Sequence, residues 1–308
     1  MAGRFTHPKV IKFSTAMLAL LALQTSAVAP AQTAPSAPPE LIDILGLQIG
    51  MGPVPALTAV AEAGLSIQEG DRNFNQEKQH ITPLGDYVFY SAFKSESWGA
   101  PGPKVTSGYS PNTKMLAGAF TPEPGEEKLW GIHYTRTYGS STGPSTANTI
   151  ESLVDKYGEP MSHKGLTTAS FIKSVPNSQK TRGGTMLWYW TPAGQRMGQQ
   201  SSDACFKALD NSFVGMGGYG AGLYNAAVID RKVTLPDWEV GMRAGCGRII
   251  RAYLSWDADG VIDELRITAI DLPMAYETAI TLQQRVANSE ADNARKRQNA
   301  ADQRRPEF

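Results

Sequence analysis

The chain has 308 residues, with 29 Lys and Arg against 29 Asp and Glu, 41% hydrophobic residues, four histidines and two cysteines. Zero net charge supplies none of the basic field that nucleic-acid binding requires, and the scattered His7, His80, His133 and His163 predict no metal centre. Length and apolar content suffice for a sizeable core, arranged as one large module or two small ones.

Residues 1–31 follow the order of a secretory signal: Arg4, His7, Lys9 and Lys12, an apolar run from Ala16 to Leu23, then small residues with Ala29 and Ala31 ahead of Gln32. The run is far shorter than the roughly 20 residues that span a bilayer, and no cysteine stands at the cut to accept a lipid. The expectation is export to the periplasm or the extracellular space, with no stable membrane insertion. Cleavage leaves 26 basic against 29 acidic residues. Residues 32–39 (QTAPSAPP) read as a disordered spacer, 40–287 as the globular region and 288–308 as a charged, solvated tail.

Within the globular region, LIDILGLQIG (41–50) reads as a short strand or the approach to a helix. Val54, Leu57 and Val60 or Ala61 then fall at helical spacing, with Pro53 and Pro55 suited to a first turn and Gly64 to a helix end. They predict a helix from about Pro55 to Ala63. DYVFYSAFKS (86–95) alternates, with Val88, Tyr90 and Ala92 on one face and Phe89, Ser91 and Phe93 on the other. KMLAGAFTP (114–122) and KLWGIHYTRTY (128–138) form a further pair of strands around EPGEE, with Trp130, Ile132 and Tyr134 on one face. A second helix is marked by caps at Ser145, Thr146 and Asn148, a stripe of Ile150, Leu153, Val154 and Tyr157, and a stop at Gly158 and Pro160.

Strands are expected in LTTASFIK (166–173) and GGTMLWYWTP (183–192). A short helical or turn segment, SSDACFKAL, follows, then a glycine-rich loop, and then strands in LYNAAVIDRKVTL (223–235), GRIIRAYLSW (247–256) and VIDELRITAID (261–271). A final helix from about Pro273 starts apolar and becomes charged, so it should dock by its first turns only. Short helices among hairpins, without regular βα alternation, give α+β: mainly antiparallel sheet with short helices packed on it and a C-terminal helix. Cys205 and Cys246, an even pair in an exported chain, are expected to form a disulfide that ties the cysteine segment to the last hairpin.

The motifs that could carry chemistry have simpler readings. GSSTG (139–143) has the form GxSxG and makes Ser141 the candidate nucleophile of an envelope serine hydrolase. Only His163 follows it, Asp155 between them sits on a predicted helix, and the element order is wrong for a doubly wound hydrolase. A Ser/Thr/Gly loop entering a helix is the better account. Gly215, Gly217 and Gly220 match GxGxxG but precede a strand-like segment, so no dinucleotide cofactor is expected. Aligning Gly260 of DADGVIDE to the sixth place of a calcium loop puts Arg266 where glutamate is required, and the alternating flanks favour a hairpin around Asp259 and Gly260. Glu151 and Asp155, beside Lys156 and Glu159, make a solvated helix face. Trp188 and Trp190 are candidate binding residues if their strand lines a glycan or peptide groove; a doubly packed core strand is the alternative.

GLQIGM (46–51), TIESLVDKYGEP (149–160), Trp188 with Trp190, Cys205, Cys246 with Gly247, and Asp271 together resemble a pattern of exported proteobacterial proteins. That pattern runs from a GIxLGM start through KYGxP to a CG that opens a hairpin ending in Asp. The GM-led helix followed by hairpins is more distantly similar to the helix-plus-sheet module of the outer-membrane assembly lipoprotein BamE and of β-lactamase inhibitory protein. The resemblance implies binding of another envelope protein. The expected function is an exported, non-enzymatic module that binds a protein or envelope component through its sheet or a loop. A hydrolase at Ser141 and a glycan-binding protein at the aromatic strand are the alternatives.

Overall fold

The computed structural model describes residues 42–68, 74–80, 84, 88–97, 112–139, 142–164, 182–198, 202–213 and 234–303. Ser141, the glycine-rich stretch 215–222, LTTASFIK and the signal and spacer segments lie outside them, as does LYNAAVIDRKVTL except for its last two residues.

The first described residues form a small hairpin, β1 (Asp43–Ile44) with β2 (Leu47–Gln48), turned by Leu45 at φ 55° and Gly46 at φ 84°. Two consecutive left-handed residues suit the right-handed twist of a tight hairpin. Helix α1 (Pro53–Glu62) follows, with proline in its first turn as expected. Its buried face is Ala56, Ala59 and Val60, while Val54 is 77% exposed. The hairpin packs on the alanine face, where a Cβ at Gly46 would sit 3.6 Å from that of Ala59, and this turns Val54 outward.

Two four-strand meanders make up the sheet. The first is β3 (Phe74–His80), β4 (Val88–Ser97), β5 (Lys114–Phe120) and β6 (Leu129–Thr137). Helix α2 (Thr146–Tyr157) leads into the second: β7 (Ser162–Lys164), β8 (Arg182–Tyr189), β9 (Arg248–Trp256) and β10 (Ile262–Asp271). Between β8 and β9 lie helices α3 (Ser202–Phe213) and α4 (Thr234–Arg243), and α5 (Leu272–Asp302) closes the described chain. The strand order is β3-β4-β5-β6-β10-β9-β8-β7, every pair antiparallel, so the meanders meet last strand to last strand. The fold class is α+β with mainly antiparallel sheet, as expected.

Both sheet faces carry apolar side chains, which is why MLWYW and GRIIRAYL lack strict apolar-polar alternation. On one face Leu116, Ile132, Trp188, Ile250 and Ile267 pack with the β1–β2 hairpin, Val60 of α1, and Leu153 and Tyr157 of α2. On the other, Trp130, Leu187, Tyr189, Ile249 and Ile270 pack with Leu209 of α3, Trp238 of α4 and Leu282 of α5.

Two bulges change the expected faces. Glu77 pairs with Ala92 and Lys78 with Tyr90, leaving Ser91 as an extra residue; Phe89 and Phe93 therefore enter opposite cores. Ala119 pairs with Gly131 and Phe120 with Leu129, so Trp130 parts from Ile132 and Tyr134 and meets Trp238 edge-on at 5.5 Å.

Helix α2 is capped as the sequence requires, with the Asn148 amide donating to Ser145 Oγ and Gly158 at φ 77° after its end. Helix α5 is capped by Asp271, whose carboxylate accepts from the Met274 amide at 3.0 Å, and it docks through Leu272, Ala275, Ala279, Leu282 and Val286. The tail expected to be solvated is helical through Asp302, and its residues are exposed from 290 to 303. Thr234 and Leu235, expected to end a strand, instead open α4. No helix among the described residues is long and apolar enough to cross a membrane.

Candidate functional site

Period-two alternation sets side chains on opposite faces of a strand. In β9, Ile250, Ala252 and Leu254 enter the core under α1 and α2, which sends Arg251, Tyr253 and Ser255 to the other face. In β10, Leu265, Ile267 and Ala269 do the same and send Glu264, Arg266 and Thr268 across; in β6, Ile132 and Tyr134 send His133, Thr135 and Thr137.

The register lines these residues into rows. Tyr189, Ile249, Ile270, Gly131 and Ala119 form an apolar row, of which all but the glycine share the core with α3, α4 and α5. Two residues further along, the row reads Leu187, Arg251, Thr268, His133, Ala117, Lys94. The next reads Thr185, Tyr253, Arg266, Thr135, Met115, Glu96. Beyond it, Ser255, Glu264 and Thr137 stand opposite one another. One half of this face is thus helix-covered core, and the other half is a polar floor on β9, β10, β6 and β4, in which Thr135, Thr137, Ser255, Glu264 and Thr268 are buried and Arg251, Tyr253 and Arg266 are half-buried.

His133 is the centre of that floor. Its Nδ1 lies 2.9 Å from Thr268 Oγ1 and its Nε2 3.0 Å from Thr135 Oγ1. Both threonines are buried. Burial first, then the positive charges of Arg251, Arg266 and Lys94, push the imidazole pKa down to about 4. The ring is therefore neutral at pH 7, one nitrogen donating to a hydroxyl and the other accepting from one.

Each cation has a carboxylate beside it. Arg266 makes a two-pronged contact with Glu264, Nε to Oε1 at 2.7 Å and Nη2 to Oε2 at 2.9 Å, and lies over the Tyr253 ring at 5.4 Å. Arg251 Nη1 meets Asp210 Oδ1 of α3 at 2.8 Å and lies 5.7 Å from the Phe206 ring centre. Lys94 pairs with Glu96. Glu264 is buried while the Arg266 side chain is 42% exposed, so the fork anchors a guanidinium that reaches solvent.

Cys205 and Cys246 are bonded, with Cα atoms 5.6 Å apart, and the bond holds α3 against the start of β9. Gly247 beside it is required by close approach: a Cβ there would lie 2.4 Å from the Thr191 carbonyl carbon. The disulfide helix also carries Phe206 and Asp210, so it forms one wall of the floor.

Other sequence candidates are structural. Trp188 and Trp190 are fully buried, and the Trp188 indole donates to the Gly158 carbonyl at 2.7 Å and packs edge-on against Tyr157. The core reading of the aromatic strand holds, and neither ring offers a surface to a glycan. The glycine of GSSTG that follows Thr142 is explained by packing: a Cβ on Gly143 would lie 2.0 Å from the Ile262 carbonyl oxygen. Thr146 donates from both its amide and hydroxyl to the Gly260 carbonyl, which fastens this loop to the β9–β10 turn. His163 is exposed on the edge strand β7, and Asp155 is exposed on α2. In the β9–β10 turn, Asp257 Oδ1 accepts from the Asp259 and Val261 amides at 2.9 Å each, which makes it a hairpin brace. Among the described residues no cluster of His, Cys, Asp or Glu could hold a metal.

Sequence reasoning passed over Arg251, Arg266, His133 and Lys94 as a group. Their alternation was visible strand by strand, but the β6–β10 pairing that unites them joins residues 135 apart, as with His133 and Thr268. No protein family, curated protein or solved structure matches the chain.

Proposed function

We propose that this chain is exported to the periplasm or beyond the cell and there, without catalysing a reaction, binds a protein or other envelope component through the polar half of its sheet. The observation that carries the reading is the row pattern. The half-buried Arg251, Tyr253 and Arg266 side chains stand on antiparallel strands whose opposite face is packed core. Arginine and tyrosine are the residue types that dominate binding energy at protein interfaces, and a floor fixed before binding loses little entropy on association. The imidazole of His133, neutral at pH 7 and held at both nitrogens by the hydroxyls of Thr268 and Thr135, favours a structural place in the floor over acid–base work. Export is supported by the signal-like N-terminus and by a disulfide that oxidising compartments favour. The similarity of the GM-led helix and hairpins to modules that bind proteins points the same way.

The test is affinity capture from envelope extract with the exported form as bait. A discrete partner should be retained by the unaltered protein and by Glu151→Lys on the exposed face of α2, and lost with Tyr253→Glu on the floor. Absence of any partner at low and high salt contradicts the reading.

A further inference from the structure

We infer that Lys114, Arg136, Tyr134 and Tyr138 form a binding site for a phosphate dianion, either free orthophosphate or a phosphate monoester. The site lies on the sheet face opposite the polar floor, and it neither requires nor tests the protein-binding reading above.

Alternation puts Ile132, Tyr134, Arg136 and Tyr138 of the β6 segment, and Leu116 and Lys114 of β5, on the face that packs with α1 and α2. Burial falls along both strands. Leu116 and Ile132 are fully enclosed, Tyr134 is 9% exposed, and Lys114, Arg136 and Tyr138 are half-buried. The polar ends of this face therefore stand where the core gives way to solvent. Lys114 and Arg136 pair directly across β5 and β6, and like charges so placed destabilise a sheet. Among the described residues no carboxylate pairs with either cation. Lys114 donates to the Ala63 carbonyl at the end of α1, which orients the ammonium and leaves two of its three donors. Arg136 is held by a ring contact instead, 5.4 Å from the Tyr138 centre.

The phenols complete the set. Neither the Tyr134 nor the Tyr138 hydroxyl makes a hydrogen bond to a described residue. Arg136 acts electrostatically on Lys114, Tyr134 and Tyr138, so the four groups surround one guanidinium. Burial first, and then Arg136, push the Lys114 ammonium below its ordinary pKa, a cost that a bound anion would relieve. Asp263 does not fill the site: the Tyr138 amide donates to its carbonyl at 2.8 Å, but its carboxyl is raised by burial and by Asp257, with neither cation acting on it. Charge selects the ligand. Two uncompensated cations beside two phenol donors match a dianion with several acceptor oxygens, whereas one carboxylate would leave a cation unpaired.

The experiment uses the exported form of the full chain at about pH 7.5, where orthophosphate is mainly the dianion, and at constant ionic strength. Phosphorus NMR follows orthophosphate, and cosedimentation follows phosphatidylcholine vesicles with and without phosphatidic acid, whose headgroup is a phosphate monoester. Saturable binding is expected from at least one source, weakened about tenfold in Arg136→Gln and unchanged in Lys128→Gln, an exposed lysine between β5 and β6. Far-UV circular dichroism and melting establish that each variant is folded. Tyr138→Phe, which removes one hydroxyl and keeps the ring beside Arg136, should weaken binding severalfold and serves if Arg136→Gln does not fold. Capture by phosphatidic acid vesicles alone assigns the site to a headgroup, and binding of orthophosphate without capture assigns it to the free ion. The inference is overturned if neither source binds, if acetate competes equally with the phosphate, or if the folded Arg136→Gln and Tyr138→Phe proteins bind as the unaltered one does.

Discussion

The Trp188 indole N–H donates to the Gly158 carbonyl at 2.7 Å, so the largest side chain of β8 closes the C-terminal end of α2. The same ring packs edge-on against Tyr157, one residue before that glycine. A helix end that leaves carbonyls unsatisfied is thereby met from the sheet beneath it. Trp188→Phe keeps most of the packing and orphans the Gly158 oxygen; it should cost about 1–3 kcal/mol. Trp188→Ala should cost about 3–5 kcal/mol through the added cavity. Urea unfolding measures both, and a Trp188→Phe variant as stable as wild type would show that the hydrogen bond contributes nothing.

The disulfide closes a loop between positions 41 apart in sequence. In the chain-entropy model such a loop stabilises the fold by about 4 kcal/mol. Cys205→Ser/Cys246→Ser should lower the melting temperature by several degrees, roughly 4–8 °C for each kcal/mol in a small domain and less in a larger one. Because α3 also carries Phe206 and Asp210 to Arg251, reduction should loosen the helix that bears these contacts. Thermal melts with and without reductant check this, and an unchanged melting temperature in the reduced protein would show that the bond adds nothing to stability.

His133 gives a pH dependence of definite sign. Its folded pKa of about 4 lies below the ordinary value of 6.5, so between those pH values the unfolded chain binds the proton and the folded one does not. The contribution is fully present above about pH 6.5 and is lost as pH falls toward 4, by at most about 3 kcal/mol and less to the extent that solvent screens the partly buried ring. Asp263, its carboxyl raised by burial and by Asp257, works in the opposite direction, so wild type alone does not isolate the histidine. The difference between wild type and His133→Gln in urea unfolding from pH 4 to 7 does. A constant difference would show that His133 does not titrate differently on folding.

Gly143→Ala should destabilise the protein by about 2 kcal/mol or more, because a backbone oxygen occupies the place of the new Cβ. A fluorophosphonate probe should leave the protein unlabelled. Labelling that Ser141→Ala abolishes would establish the hydrolase alternative instead.

Much of this fold was legible locally. The caps of α2, the proline start of α5, the flanking glycines and the strands β5, β6, β9 and β10 were readable because capping chemistry and alternation are short-range signals. Strand β3 was missed: FNQEKQH, at the sheet edge, carries one apolar residue and no apolar alternation. The bulges at Ser91 and Trp130 were invisible because one inserted residue leaves a period-two pattern looking intact while reversing everything before it. Helix α4 was hidden because its first residues, Thr234 and Leu235, end a run that reads as strand, although Leu235, Trp238 and Met242 share a helical stripe. The site was the least legible part. Its residues come from β4, β6, β9 and β10, and only the pairing of two distant last strands makes them neighbours.

Site-specific photo-crosslinking in cells tests the central claim most directly, with benzoylphenylalanine in place of Tyr253 on the floor or of Glu151 on α2. A discrete crosslinked species from position 253 and none from position 151 is the predicted result. Crosslinks from position 151 with none from position 253 would contradict a binding function for the polar half of the sheet.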